Sequence, residues 1–565
     1  MRFDLSILFI TICLNFHSVL AIDLVSNYDL TPISQIFNNI YQYVSRTLNA
    51  SQFKSFQFLK QVTDETSFTD WLNFQRSNTI HSIIKNILPN GAIVASPSTS
   101  DPNYYYQWTR DSALSIKTLI FYIQDYYNSI IPNTDVNSIL NKKIKEIVEL
   151  YIIHNYYLQR LPNRSGTFED LSGLGEPKFN VDMTAFDENW GRPQRDGPAL
   201  RSITILEFIH YLNQTETEFD DQKLKNRTFV FNEIIKPDLE YVIKYWDQKG
   251  FDLWEEVDSI HFYTEMVQLK ALQLGFVWFD YYKDKIEGVD ETFLSDLLST
   301  FYKLKSNINN DFNFINHEKH HIVEIPSLLI SGERGGLDIA TTLGVIHTHE
   351  LDFLEKYSFN NIHDLQSFRI PFQVNNTYVL NSLKFLIDDM QNRYTINHNP
   401  NQPKDNDSAS IIGCGLGRYP EDIYDGHETS EGNPWFLATS TAGELIYQLI
   451  FNLHKFKLNL EINELNYEFY KPFIKNYETN KQYSKDIILK YNSIDFNETI
   501  TNLFKYGDSF LEVVKRHSNK ETGNMSEQFN RYTGFMQGAK ELTWSYSALW
   551  NAIRWRDKLV SIYGI

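Results

Sequence analysis

Three carboxylates fall within five positions in Gly250-Phe251-Asp252-Leu253-Trp254-Glu255-Glu256, with two aromatic rings among them. Apolar rings desolvate a carboxyl group and neighbouring carboxylates repel its charge. Both effects raise its proton affinity and prepare a general acid. A solvated acidic turn is the plainer alternative, and the two aromatics argue against it. A further carboxylate, Glu527, lies in Asn524-Met525-Ser526-Glu527-Gln528, where by itself it is an unremarkable loop residue.

Other loops combine aromatic faces with hydroxyl-binding charges. In Tyr104-Tyr105-Tyr106-Gln107-Trp108-Thr109-Arg110-Asp111 the rings suit stacking on a sugar. The adjacent Arg110 and Asp111 can grip neighbouring hydroxyls as donor and acceptor, or simply cap a helix beginning near Ser112. Gly173 to Asn180, which contains Lys178, and Trp190 to Pro198 read as rigid loops dense in Gly, Pro, charge and aromatics. Gly417-Arg418-Tyr419-Pro420-Glu421-Asp422 and Leu542-Thr543-Trp544-Ser545-Tyr546 have the same character. His317-Glu318-Lys319-His320-His321 matches the zinc-protease pattern H-E-x-x-H, which works only on a helix. Its surroundings carry no helical apolar stripe, so surface histidines are expected and no metal site is assigned. There is no phosphate-binding loop and no G-x-S-x-G.

These loops need a scaffold. Leu140, Ile144, Ile147, Val148 and Tyr151 recur at helical spacing, as do Met266, Leu269, Leu272, Phe276 and Phe279, and Leu542, Leu549 and Ile553. Helices are also expected over 111–126, 200–212, 376–391, 436–454 and 500–516. Between helices lie the long loops 91–110, 173–198, 249–262, 412–435 and 521–538; such length is uncommon without function. The pattern predicts αα-hairpins, able to close into a toroid, that display one site on one face. No strand–helix alternation supports a doubly wound sheet.

The 565 residues carry a formal net charge of −19, which repels nucleic acid and anionic membranes. Residues 1–21 resemble a cleaved signal peptide, too short in apolar length for a permanent span. Residues 22–70 read as an extension packed on the main domain, 71–565. Eight Asn-x-Ser/Thr sequons accompany the leader and predict a glycoprotein, secreted or held in a vacuolar lumen. Losing Cys13 with the leader leaves Cys414 alone, so no intrachain disulfide is expected.

The five motif loops, in this order from about residue 72 and with Gly91 to Ser98 ahead of the first, resemble glycoside hydrolase family 15, the glucoamylases, and most of all those of yeasts. The resemblance implies an all-α (α/α)6 barrel and exo-acting, inverting hydrolysis of terminal α-1,4-linked glucose, more slowly α-1,6, from starch, glycogen or malto-oligosaccharides. It makes Glu255 the proton donor and Glu527 the base. Substrate contacts pass to Tyr104, Trp108, Arg110, Asp111, Lys178, Trp190, Glu256, Arg418 and Trp544. No cofactor is implied, and a monomer without a starch-binding domain is expected. Some descriptions of the family make the Asp of the acid loop the base. Asp252 lies only three residues from Glu255, whereas inversion needs carboxyls roughly 6.5–9.5 Å apart across the sugar. Asp252 is therefore read as a supporting residue. A binding protein that has lost catalysis would lack one carboxylate, and both are present; a sister α-glucosidase is the nearer alternative.

Overall fold

The computed structural model describes residues 66–132, 134–350, 366–398, 412–474 and 486–565. The chain divides into residues 1–58 and 59–565, and every described residue belongs to the second unit. The expected leader, residues 22–65 of the extension, and the sequons at Asn49 and Asn406 lie outside the described residues.

Twelve principal helices alternate along the described residues: α1 (Phe68–Lys85), α2 (Thr109–Tyr127), α3 (Asp135–Gln159), α4 (Asp196–Gln214), α5, α6 (Phe262–Tyr282), α7 (Glu291–Ser306), α8 (Ile339–His349), α9 (Thr377–Arg393), α10 (Phe436–Lys455), α11 (Ile494–His517) and α12 (Thr543–Tyr563). α5 runs from Arg227–Val230 through a π turn, Phe231–Ile235, into Lys236–Tyr245. The even-numbered members α2, α4, α6, α8, α10 and α12 each pack on the next, and α12 returns to α2, closing an inner ring. The partners α3, α5, α7, α9, α11 and α1 lie outside them. This is an (α/α)6 barrel.

Burial separates the rings. In α6 nearly every residue from Phe262 to Phe279 is buried, whereas in α11 the buried positions Phe496, Ile500, Leu503, Phe504, Gly507, Phe510, Leu511 and Val514 trace one stripe. Inner helices are enclosed on all sides, so their stripes understate their contacts. The polar residues that interrupt α2, α4 and α10, among them Lys117, Glu207 and Glu444, are buried too. The short strands form two-stranded pairs in the loops. One pair, Ile315–Asn316 with His321–Ile322, carries the H-E-x-x-H run across its turn. That removes the helical face on which two histidines at i and i+4 would meet. No described helix is long and apolar enough to cross a membrane.

Candidate active site

The N-terminal ends of the inner helices converge on one pocket of about 310 Å³. Its lining includes Arg110 and Asp111 from the first turn of α2, Glu255 and Glu256 from the loop before α6, Trp435 at the N-cap of α10 and Trp544 in the first turn of α12. Helix N-termini carry partial positive charge, which favours carboxylates here. Of the other expected residues, Tyr104, Trp108, Trp190, Arg418 and Glu527 line it, joined by Trp254, Tyr424, Leu253 and Leu542, whereas Lys178 and Asp252 do not.

Glu255 sits on a hairpin whose strands Gly250–Phe251 and Asp258–Ser259 pair antiparallel. The fully buried Asp252 builds the turn: its Oδ1 accepts the backbone N–H groups of Glu256 at 2.7 Å and Val257 at 2.8 Å, and its Oδ2 that of Trp254 at 3.3 Å. Glu255 itself adopts φ +70°, a left-handed conformation that costs a side-chain-bearing residue energy and recurs at functional sites. Its Oε1 accepts from Trp108 Nε1 at 2.7 Å and Gln194 Nε2 at 2.9 Å, with Arg110 Nη2 at 3.7 Å. Gly191 lets the neighbouring loop approach, since a Cβ there would lie 2.8 Å from Glu255 O and 2.7 Å from the Phe251 ring.

The aromatic shielding expected of Trp254 takes a different form. Its indole N–H donates to both oxygens of Asp338, at 3.1 and 3.2 Å, and its ring stacks on Trp544. Trp254 thus belongs to the pocket wall, and Glu255 faces hydrogen-bond donors. Lys178 is also placed unexpectedly. It does not line the pocket; its Nζ lies 3.6 Å from the Trp190 ring centroid, with Trp108, Tyr106 and Phe186 at 4.2 to 4.5 Å. Burial pushes this ammonium down to about 8 against the opposing pull of Glu255. It supports from behind the two tryptophans that face the pocket.

Glu527 sits on the second hairpin, just before Gln528–Phe529, which pairs with Met536–Gln537. Its N–H donates to Ala539 O at 2.8 Å, and its carbonyl accepts from Phe436 N–H at 3.3 Å, tying the loop to α10. Gly538, at φ +73°, passes so close that a Cβ would meet Glu527 Oε2 at 2.3 Å. Burial pushes the Glu527 carboxyl up to about 8, against the Ala539 N–H, the Tyr104 and Tyr424 hydroxyls and the Arg418 charge. Tyr424 donates to Oε2 at 3.4 Å and shares a 2.9 Å hydrogen bond with Tyr104.

Charged residues surround this pair. Arg110 Nη1 donates to Gln194 Oε1 at 2.8 Å and Asp196 Oδ2 at 3.0 Å. Its buried Nε has no hydrogen-bond acceptor, and Asp111 Oδ2 is 3.7 Å away. Burial pushes Asp111 up to about 6, opposed by Arg110. Arg418 Nη2 contacts Asp422 Oδ1 at 2.6 Å and Glu256 Oε1 at 2.8 Å. Burial would raise Glu256, but Arg418, the Tyr419 hydroxyl and Arg334 outweigh it and hold its carboxyl below the ordinary range. Gln194 and Tyr424 were not singled out as site residues from the sequence, although both lie in the predicted loops. Asp338 lies outside those loops and carries no local signal.

A barrel whose aromatic pocket holds the carboxylates Asp111, Glu255, Glu256 and Glu527 points to the class, a carbohydrate-cleaving hydrolase. The profile of glycosyl hydrolases family 15 matches residues 75–554, and the chain belongs to this family of glycoside hydrolases. A glucoamylase of Saccharomycopsis fibuligera is 39% identical over 538 residues, spanning 91% of this chain and 95% of the relative. An intracellular sporulation-specific glucoamylase of Saccharomyces cerevisiae is 37% identical over 516 residues, spanning 88% and 86%. A solved Saccharomycopsis fibuligera glucoamylase superposes with a TM-score of 0.77 at 39% identity, covering 89% of this chain and 98% of that one.

Proposed function

We propose that the chain is an exo-acting, inverting glucoamylase that removes single glucose units from the non-reducing ends of α-1,4-glucans. The observation that carries this reading is the placement of Glu255 and Glu527, from two separate hairpins, in one pocket walled by Trp108, Trp254, Trp435 and Trp544. The paired charges of Arg110 and Asp111, both lining the pocket, suit the hydroxyls of a terminal glucose. Starch, glycogen and malto-oligosaccharides are the expected substrates, with secretion or a vacuolar lumen as the location.

In this mechanism Glu255 protonates the glycosidic oxygen while Glu527 takes a proton from a water attacking the anomeric carbon from the opposite side. Asp252 touches neither; it holds the turn that aims Glu255. Carboxylates perform both proton transfers, so the residues require no cofactor. Raised proton affinity makes Glu527 a stronger base once ionised.

The same burial favours a second reading, with Glu527 as acid and Glu255, faced by donors, as base. α-Glucosyl fluoride separates the two because fluoride leaves without protonation. On the first reading Glu255→Gln hydrolyses the fluoride far better than maltose, and Glu527→Gln hydrolyses neither. The reverse pattern exchanges the roles. Both readings require β-glucose as the first product of maltose cleavage. NMR of the anomeric proton before mutarotation checks this, and initial α-glucose rejects inversion.

A further inference from the structure

Five of the six inner helices send residues to the catalytic pocket, from their first turns or from the loops before them. α8 is the exception: among the described residues, none between Glu256 and Arg418 lines the pocket. The segment leading into α8 instead joins two of the loops that do. Arg334 Nη2 donates to Glu256 Oε2 at 2.9 Å and to the Tyr419 hydroxyl at 3.0 Å. Gly335 N–H donates to Glu421 Oε1 at 2.8 Å, and Ile339 N–H to Arg418 O at 2.8 Å. Between them Asp338 accepts the Trp254 indole N–H on both oxygens and caps α8 by accepting Ala340 N–H on Oδ1 at 2.8 Å. Residues 334–339 thus clasp the loop of Glu255 to the loop of Arg418 without reaching the pocket.

Asp338 holds the part of this clasp nearest the chemistry. Trp254 directly precedes Glu255 and lines the pocket, with Trp435 at 5.8 Å, Trp544 at 6.3 Å and the Arg418 guanidinium at 5.4 Å from its ring. Asp252 fixes the backbone of the turn, accepting Trp254 N–H at 3.3 Å. Ring packing alone lets an indole slide or turn over. Indole has a single donor, so a bond from it to a buried carboxylate fixes which way the ring points. We propose that Asp338 is a positioning residue for glucose release, acting through the Trp254 indole to hold the pocket wall and the turn that carries Glu255. This inference rests on the hydrolytic reading above.

Two substitutions in the full chain separate positioning from helix capping. Serine is a good N-cap, but its side chain is one atom shorter, so Asp338→Ser keeps the cap and releases Trp254. Asp338→Asn keeps Oδ1, the oxygen that accepts from both Ala340 and Trp254. Small misplacements near a reacting centre are costly, so Asp338→Ser is expected to lower kcat on maltose by about tenfold or more, with KM and Tm moving less. Asp338→Asn is expected to restore most of that loss. In a Trp254→Phe background, which lacks the N–H, Asp338→Ser is expected to cost less than about threefold more, because one shared bond is lost only once. Equal losses in both backgrounds, near-normal kcat in Asp338→Ser, or an asparagine as damaging as serine overturns the proposal. Should Asp338→Ser fail to fold, Trp254→Phe removes the same bond from the ring side. It is then expected to lower kcat while Asp338→Asn stays near normal, and full activity of Trp254→Phe overturns the proposal. No glucose release by the unaltered enzyme overturns the hydrolytic reading and this inference together. Release that survives Asp338→Ser overturns this inference alone.

Discussion

The two glutamate hairpins solve the same positioning problem in different ways. The Glu255 turn is built locally: Asp252 collects three backbone N–H groups within five residues and forces Glu255 to φ +70°. The Glu527 turn is built from a distance, by Phe436 from α10, Ala539 and Gly538 across the hairpin, and Tyr424 from another loop. Glu255 consequently meets indole and amide donors, whereas Glu527 is enclosed and pushed up to about 8. Two carboxyls of one residue type therefore acquire different surroundings, one met by donors and the other enclosed, as two distinct roles require.

The largest effect that can break this comparison is removal of a carboxylate. Glu255→Gln and Glu527→Gln are each expected to lower kcat on maltose by roughly 10²–10⁴-fold. Near-normal turnover in either would remove that residue from the chemistry.

Gly538→Ala comes next. Its Cβ would displace the Glu527 carboxylate, and the left-handed backbone adds about 1–2 kcal/mol of strain. Turnover is expected to fall by at least tenfold with a modest loss of Tm, and full activity would show that Glu527 needs no such fixing.

Asp252→Asn tests the local device. An amide nitrogen facing backbone N–H groups leaves a buried donor unsatisfied, at a cost of about 1–3 kcal/mol of stability. Denaturant unfolding is expected to register that loss, with a smaller fall in kcat than Glu527→Gln gives. Abolished turnover at intact stability would instead make Asp252 the base.

Trp190→Ala addresses the wall they share. The ring is 37% exposed and covers Lys178. Its removal is expected to cut kcat/KM about tenfold or more while Tm moves little; matched losses would make the tryptophan purely structural.

The smallest effect is on stability against pH. Glu527, Glu444 and Asp338 are pushed up to about 8 by burial, from ordinary values of 4.5, 4.5 and 3.8. Between those limits the folded chain holds protons that the unfolded chain has released. Their contribution is full below the ordinary values and is lost as pH rises through about 8. Tm is therefore expected to fall from pH 6.5 to 8.5, and Glu527→Gln to flatten that slope. An identical slope in the variant would contradict the burial of Glu527.

Eight of the twelve principal helices, the five long loops and the residues of the acid turn were legible in the sequence, because helical periodicity, Gly/Pro punctuation and clustered charge are local signals, whereas α1, α5, α7 and the inner α8 were not predicted. Phe262 to Tyr282 showed a stripe although almost the whole helix is buried, since a stripe reports one face and closure of the ring encloses the others. Family resemblance selected Glu527; nothing within its own loop distinguished it.

Only the tertiary structure decided the surroundings of each charge. Trp254 lies beside Glu255 in sequence, yet its N–H serves Asp338, 84 residues away, and Glu255 takes its indole donor from Trp108, 147 residues away. Lys178 reads as a substrate contact and lies behind the wall, because four rings from two loops close over it. Sequence alone determined which residue types reach the mouth of the barrel, since each loop carries its own. Which donor faces which carboxylate depends on how six helix ends meet. Hydrogen bonds act over about 3 Å, so partners distant in the chain become neighbours only when the ring closes.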